Sequence, residues 1–261
     1  METINDYRAL AFFDLDGTLL NADSELDDEV IDALAQIKKN GVLPFIATGR
    51  GHFELPRIMK PAGITGAITM NGQYIIYDDE TIFKSAIPTT AITKLLELAD
   101  SCDEALSFYD DDHYWVSQLT EYAREAYGHF HQTMPVADRN AYLTDEVNML
   151  LVLTDKLSQV AFYKERIPEL NFYMNSPSSI DVTNSFINKG TGVAEVKKIF
   201  GFTGETYAFG DGRNDLDLLA ACDHKTAMGN AVPELKALAD FVTTDNTNHG
   251  IINAFKHWGL L

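Results

Sequence analysis

The chain has 261 residues, 46% of them hydrophobic and 23% charged, with a mean hydropathy of −0.12, a profile that suits one large globular domain or two modest ones. Its formal charge of −19 argues against a nucleic-acid partner, because neutralising a phosphate backbone takes clustered Lys and Arg. Two cysteines, Cys102 and Cys222, are too few for a disulfide framework and are expected to be buried small hydrophobes; the opening METINDYRAL lacks a signal-peptide pattern and no apolar run is of membrane-spanning length, so a cytoplasmic location is expected.

Residues 9–13 form a continuous apolar run of strand length, as in a strand buried on both faces, and the run ends at Asp14. Val30, Ile31, Leu34 and Ile37 then recur at helical spacing, and Gly41 sits where a helix-ending glycine belongs. Residues 42–47 supply a second apolar strand, which ends at Thr48, Gly49 and Arg50. Strand, helix, strand is the βαβ unit of a parallel sheet. GAITMNG (66–72) predicts a third strand, and residues 73–86 alternate like a hairpin with its turn near Asp78 and Asp79.

From Thr89 the pattern predicts a helix through Ile92, Leu95, Leu96 and Leu98, aromatic-rich strands within 107–116, a helix near 119–127 and a strand at 147–153. A further helical stretch and the strands NFYMN and SIDVT follow. NKGTGVAEVKKIFG then opens a helix, ETYAFGDGRND is a strand ending in acids, and TAMGN and DFVTT are two more short strand-and-turn pieces. The expected architecture is α/β: a doubly wound parallel-sheet core over 1–84 and 187–261, interrupted by an α/β insert of small-domain size over 85–186.

In an open parallel sheet, ligands lie beyond the carboxyl ends of the strands. The polar residues at those ends are Asp14 and Asp16, Thr48, Asn71, and then Asp211, Asn214 and Asp215. Crowded carboxylates resist ionising together unless a cation neutralises them, and oxygen donors of this kind suit Mg²⁺, which shares itself with a phosphate. The Thr48 hydroxyl, the backbone N–H groups of TGR and Lys189 at a helix start are complementary to a phosphoryl group. Together they describe phosphoryl transfer to an aspartate.

FFDLDGTLL, ATGR, NKG and FGDGRND, in that order, resemble the four motifs of the haloacid dehalogenase-like (HAD) superfamily, and MNG, AMGN and HGI resemble its Cof-type sugar-phosphatase branch. The resemblance implies a Rossmann-like core with an inserted α/β cap, and Mg²⁺-dependent hydrolysis of small phosphorylated metabolites, sugar phosphates first among them. It implies that Asp14 is the nucleophile and that Asp16 protonates the leaving alcohol and then activates water. Thr48, Gly49 and Asn214 would hold phosphoryl oxygens, with Lys189 offsetting charge. Asp14, Asp211 and the Asp16 backbone carbonyl would hold Mg²⁺, with Asp215 behind them, and Arg50 and Asn71 would face the substrate. Two departures stand out: NKG where the branch often has Ser before Lys, and Asn248 and His249 where acids are common.

Other readings are open to test. A calcium loop over 14–25 needs a glycine where Leu19 stands and a helix, not a strand, before it. A phospho-accepting signalling module lacks the DGT and GDGxND motifs, while a phosphomutase or a non-catalytic binder would release little phosphate. His129 and His131 have no evident third ligand and are expected to be a surface pair. Asp110–Asp112 reads as a solvated turn, and Tyr109, Tyr114 and Trp115 as packing within the insert.

Overall fold

Five consecutive apolar residues, Ala9–Phe13, form strand β1, and all five are buried. The structure is a computed structural model that describes residues 3–130 and 132–261, so His131 lies outside the described residues. After β1 come α1 (Asp28–Lys39), β2 (Val42–Ala47), α2 (Pro56–Ala62), β3 (Gly66–Thr69), β4 (Tyr74–Tyr77) and β5 (Glu80–Lys84). The middle of the chain holds α3 (Thr89–Ser101), β6 (Ala105–Tyr109), β7 (Tyr114–Val116), α4 (Glu121–His129), β8 (Met149–Leu153), α5 (Ser158–Arg166), β9 (Leu170–Ser176) and β10 (Ser179–Asn184). The last part adds α6 (Lys189–Phe200), β11 (Glu205–Gly210), α7 (Leu216–Ala220), β12 (His224–Ala227), α8 (Pro233–Leu238), β13 (Phe241–Val242) and α9 (Gly250–His257). Two compact units result: one comprises the residues up to Arg50, Glu54–Phe83 and Asn188–Leu261, the other Gly51–Phe53 and Lys84–Ile187.

The first unit is built on an eight-stranded sheet in the order β13-β12-β11-β1-β2-β3-β4-β5. The strands from β13 through β3 run parallel, and β4 turns back antiparallel on β3. Aromatic rings fill the centre: Phe13 stacks on Phe209 at 4.6 Å and Phe12 packs on Phe45 at 5.4 Å. Burying such side chains contributes roughly 1.5–3 kcal/mol each, which accounts for the continuous apolar runs in these strands. From β1 the chain winds outward one way through β2 and β3 and later the other way through β11, β12 and β13, so the sheet's switch point lies between β1 and β11. Asp78 (φ 51°) and Asp79 (φ 62°) form the predicted hairpin turn, where short polar residues tolerate left-handed backbone. Helix α2 went unassigned in the sequence because Pro56 and Pro61 mask its short apolar pattern.

The second unit has a five-stranded antiparallel sheet in the order β7-β6-β8-β10-β9. Side chains alternate along it. Leu106 and Phe108, Leu150 and Val152, and Ile180 and Val182 join Ile92, Leu95 and Leu96 of α3 and Tyr163 of α5 in one apolar core. Asp110 turns the chain between β6 and β7 by accepting the Asp112 and His113 N–H groups, as the solvated-turn reading has it. Tyr109 and Tyr114 pack ring on ring, and Trp115 packs against the apolar core. His129 ends α4 and lies against the Ser178 hydroxyl, 2.5 Å from Nδ1. One expectation needs correcting: Cys222 is buried, but Cys102, at the C-terminal cap of α3, is only partly so, because the last turn of that helix runs out of the apolar core.

Candidate active site

The carboxyl ends of β1 and β11, side by side at the switch point, present Asp14 and Asp211. The Asp14 N–H donates to the Phe209 carbonyl at 3.0 Å, which extends the strand pairing to Asp14 itself. Beyond Asp14 the chain turns sharply through Gly17, whose φ of +80° is left-handed. A Cβ at Gly17 would stand 2.4 Å from Asp211 Oδ2, so both the backbone and the neighbouring carboxylate demand glycine in DGT. The Thr18 hydroxyl then donates to Asp211 Oδ1 at 3.1 Å.

Lys189 is fully buried at the start of α6, where Asn188 caps the helix by accepting the Thr191 N–H. The helix can dock closely because a Cβ at Gly190 would lie 2.2 Å from the Asp217 carbonyl and one at Gly192 would lie 2.6 Å from Ile68. The Lys189 ammonium reaches Asp14 Oδ1 at 2.6 Å and Asp215 Oδ1 at 2.7 Å. Asp215 uses its other oxygen to accept the N–H groups of Asp211 and Gly212, each at 2.9 Å. Both Asp215 oxygens are thus engaged, whereas Asp14 Oδ2 carries no hydrogen bond among the described residues.

Oxygens of Asp14, Asp211 and Asp215 lie within 4.8 Å of one another. Burial, the largest cause, together with the neighbouring Asp215 and Asp211 charges, pushes Asp14 well above the usual carboxylate range against the pull of Lys189. Burial and the Asp215 charge push Asp211 up to about 6. Burial opposes the charge on Lys189, but Asp14 and Asp215 more than offset it and hold its pKa above the ordinary lysine value. Three carboxylates against one ammonium leave two negative charges unbalanced, and the donors are all hard oxygens, so the set fits a divalent cation such as Mg²⁺.

The Asp16 carboxylate stands outside that trio. It is more than half exposed and is held by the Arg50 guanidinium, which donates through Nε at 2.8 Å and Nη2 at 2.5 Å. Burial opposes the charge on Arg50, and the Asp16 hydrogen bonds and charge outweigh it and raise its pKa. Arg50, expected to face substrate, is therefore tied first to Asp16. Thr48 is buried at the end of β2, its hydroxyl oxygen accepting the Arg50 N–H at 3.1 Å while its own proton remains to donate. Gly49 lies between them in the bend that follows β2. Asn71 has left-handed backbone (φ 54°), and its Oδ1 accepts from Asn214 Nδ2 at 3.1 Å, tying the end of β3 to the loop after β11.

Sequence reasoning missed the residues that brace this arrangement from behind. The Asn230 amide donates to the Gly17 carbonyl at 2.8 Å, the Asn246 backbone N–H donates to Asn230 Oδ1 at 3.0 Å, and the Asn246 side-chain amide donates to the Leu20 carbonyl at 2.8 Å. Asn230 is the Asn of AMGN, so the motif was visible although its task was not. In the late loop set aside for its unusual Asn248 and His249, His249 pairs instead with Glu29 of α1 at 2.6 Å.

The crowding has a measurable cost. Because the folded-state pKa of Asp211 is raised, the folded protein binds its proton more tightly than the unfolded chain does, so metal-free stability falls as pH rises towards about 6 and stays low above it. Asp211→Asn is therefore expected to raise Tm in EDTA at neutral pH, with the gain shrinking as pH drops below about 6. Thermal unfolding across pH measures it; a lower Tm for the variant at neutral pH would contradict this electrostatic picture.

Carboxylates, a buried lysine and a threonine-glycine turn gathered at the switch point of a doubly wound sheet are the fold and site of a phosphate-ester hydrolase. The chain belongs to the haloacid dehalogenase-like hydrolase family, which matches residues 11–255. "Putative phosphatase YkrA" of Bacillus subtilis (strain 168) is 34% identical, covering 97% of this chain and 98% of its own. The 5-amino-6-(5-phospho-D-ribitylamino)uracil phosphatase YcsE of the same organism is 27% identical over 96% of each chain. Among solved structures, the HAD subclass IIB sugar phosphatase BT4131 superposes with a TM-score of 0.88 at 30% identity, covering 97% of this chain and 99% of that one. The protein is a phosphatase, and among the described residues no helix is long and apolar enough to cross a membrane.

Proposed function

We propose that the protein is a cytoplasmic, Mg²⁺-dependent phosphatase of small phosphorylated metabolites, with sugar phosphates as the first substrate class, and that it works through an aspartyl phosphate on Asp14. The observation that carries this reading is the Lys189 ammonium seated between Asp14 and Asp215: it stabilises Asp14 as a carboxylate and leaves Oδ2 without a hydrogen bond. Asp14 Oδ2 attacks phosphorus and the ester P–O bond breaks. The leaving oxygen takes its proton from Asp16, which then accepts a proton from the water that hydrolyses the acyl phosphate.

Thr48 and the Gly49 N–H hold phosphoryl oxygens together with Asn214, and Lys189 offsets their charge. Asp14, Asp211 and the Asp16 carbonyl would hold Mg²⁺, which when bound would neutralise phosphoryl charge as a Lewis acid. Asp215 keeps Lys189 and the Asp211 turn in place, and Arg50 and Asn71 lie nearest the leaving group. A sugar phosphatase and a ribityl-phosphate phosphatase among the relatives both name a phosphate on a polyhydroxylated carbon chain, which supports that substrate class.

Phosphate release from a panel of phosphorylated metabolites tests the proposal. Turnover is expected to stop in EDTA and return with Mg²⁺; turnover insensitive to chelation would overturn the metal assignment, and interconversion of sugar phosphates without net release would indicate a mutase.

A further inference from the structure

Gly17 directs the turn that follows Asp14, yet glycine is the residue least able to hold a direction by itself. With φ +80° and ψ 2° it takes a left-handed conformation that glycine enters and leaves at little cost. The carbonyl before it belongs to Asp16 and the carbonyl after it is its own. Holding the second therefore restricts where the first can point.

The hold comes from the far side of the same sheet. The Asn230 side-chain amide donates to the Gly17 carbonyl at 2.8 Å and makes a longer contact, at 3.5 Å, to Asp211 Oδ2. One NH₂ group thus spans the turn and the carboxylate opposite it, while Thr18 donates to the other Asp211 oxygen. Asn230 stands on fixed backbone. The Val232 N–H donates to the Asp211 carbonyl at 2.9 Å, and the Gly229 N–H donates to the Thr244 carbonyl at 3.0 Å. A Cβ at Gly229 would lie 2.3 Å from Asp245 Oδ1, so the turns that follow β12 and β13 pack closely on each other. From the second of these turns the Asn246 N–H donates to Asn230 Oδ1 at 3.0 Å, which decides the way the Asn230 amide faces. The Asn246 side chain reaches the Leu20 carbonyl at 2.8 Å. Two asparagines therefore grip the DGTLL loop at Gly17 and at Leu20.

We infer that Asn230 is a positioning residue for the divalent cation: its amide holds the Asp16–Gly17 turn and Asp211 in the arrangement that binds the metal, and Asn246 fixes the direction of that amide. The inference rests on the reading of Asp14, Asp211 and the Asp16 carbonyl as the cation's donors. An Asn230 that only braced the fold would lower Tm without changing affinity for the metal.

The test is calorimetric titration of MgCl₂ into the full chain after EDTA treatment and dialysis, with Tm in EDTA measured on every variant. Asn230→Ala is expected to raise the Kd for Mg²⁺ roughly 10- to 100-fold, the scale on which metal sites lose affinity when a group that orients their donors is removed. Asn246→Ala, which keeps its backbone N–H to Asn230 but loses Leu20, should raise Kd by a smaller factor and guards against a folding defect at position 230. Asn40→Ala supplies the comparison: it removes a 2.7 Å hydrogen bond to the Leu260 carbonyl just before β2, at the opposite end of the strands, and should lower Tm while leaving Kd within about 2-fold of wild type. A wild-type Kd for Asn230→Ala, or an equal rise in Kd for Asn40→Ala, would overturn the inference. Asp211→Asn separates it from its premise: if that variant binds Mg²⁺ as wild type does, the assignment of the donors falls, and if it loses Mg²⁺ while Asn230→Ala does not weaken binding, only the role of Asn230 falls.

Discussion

Asp14→Asn is expected to reduce phosphatase turnover on the order of 10⁵- to 10⁶-fold, the scale seen when a covalent nucleophile is removed. An amide cannot form the acyl phosphate, and its nitrogen is no substitute for the carboxylate oxygen. The fold should survive, because the buried Lys189 keeps its 2.7 Å contact to Asp215 and a side-chain carbonyl can still accept from it at position 14. The change should also relieve part of the repulsion that lifts Asp14 and Asp211 out of the usual carboxylate range. Loss of phosphate release with an unchanged or higher Tm is therefore the expected pair of results. Near-normal turnover would refute the aspartyl-phosphate mechanism.

Lys189→Met should do the opposite to the fold while also removing activity. Lys189 is fully buried and bridges two buried carboxylates, so deleting its charge leaves Asp14 and Asp215 without a counter-ion. Breaking a buried pair in this way typically costs about 3–5 kcal/mol. For a chain of this size that corresponds to a Tm lower by roughly 10 °C. Adding Asp215→Asn should recover part of the loss by removing one orphaned charge, without restoring activity. A single variant within a degree or two of wild type would show that the pair is not held as described; differential scanning calorimetry in EDTA decides it.

The elements with unbroken apolar runs were legible because their burial is nearly complete. Residues 9–13 and 42–47 are strands β1 and β2 with every residue buried, and the left-handed Asp78 and Asp79 mark the hairpin turn as their residue types promised. What joins one strand to the next was less so. Helix α2 is short and carries two prolines, and the hairpin's alternation does not report that β4 turns back antiparallel onto β3, Gly66 opposite Tyr77, to extend the large sheet.

At the site, residue type and position at a strand end pointed to Asp14, Thr48 and Asp211, since alternation and burial dictate where such side chains emerge. The partnerships were not readable. That Asp215 holds Lys189, that Asp16 turns to Arg50, and that Asn230 and Asn246 brace the loop beyond Asp14 are matters of contacts across tens to hundreds of residues, set by the way strands from both ends of the sequence are brought together.

Strand β1 has its two neighbours at very unequal distances along the chain: β2 begins at Val42, but β11 begins at Glu205. During synthesis one edge of this fully buried, all-apolar strand therefore waits, unpaired, until some two hundred residues have emerged, while every pairing of the antiparallel unit's strands lies within residues 105–184. That local unit can close first, and the waiting edge is the segment most exposed to pairing with another nascent chain. Asp14, set at the end of this late-completed strand, acquires its lysine and its neighbouring carboxylates only when the final third of the polypeptide arrives.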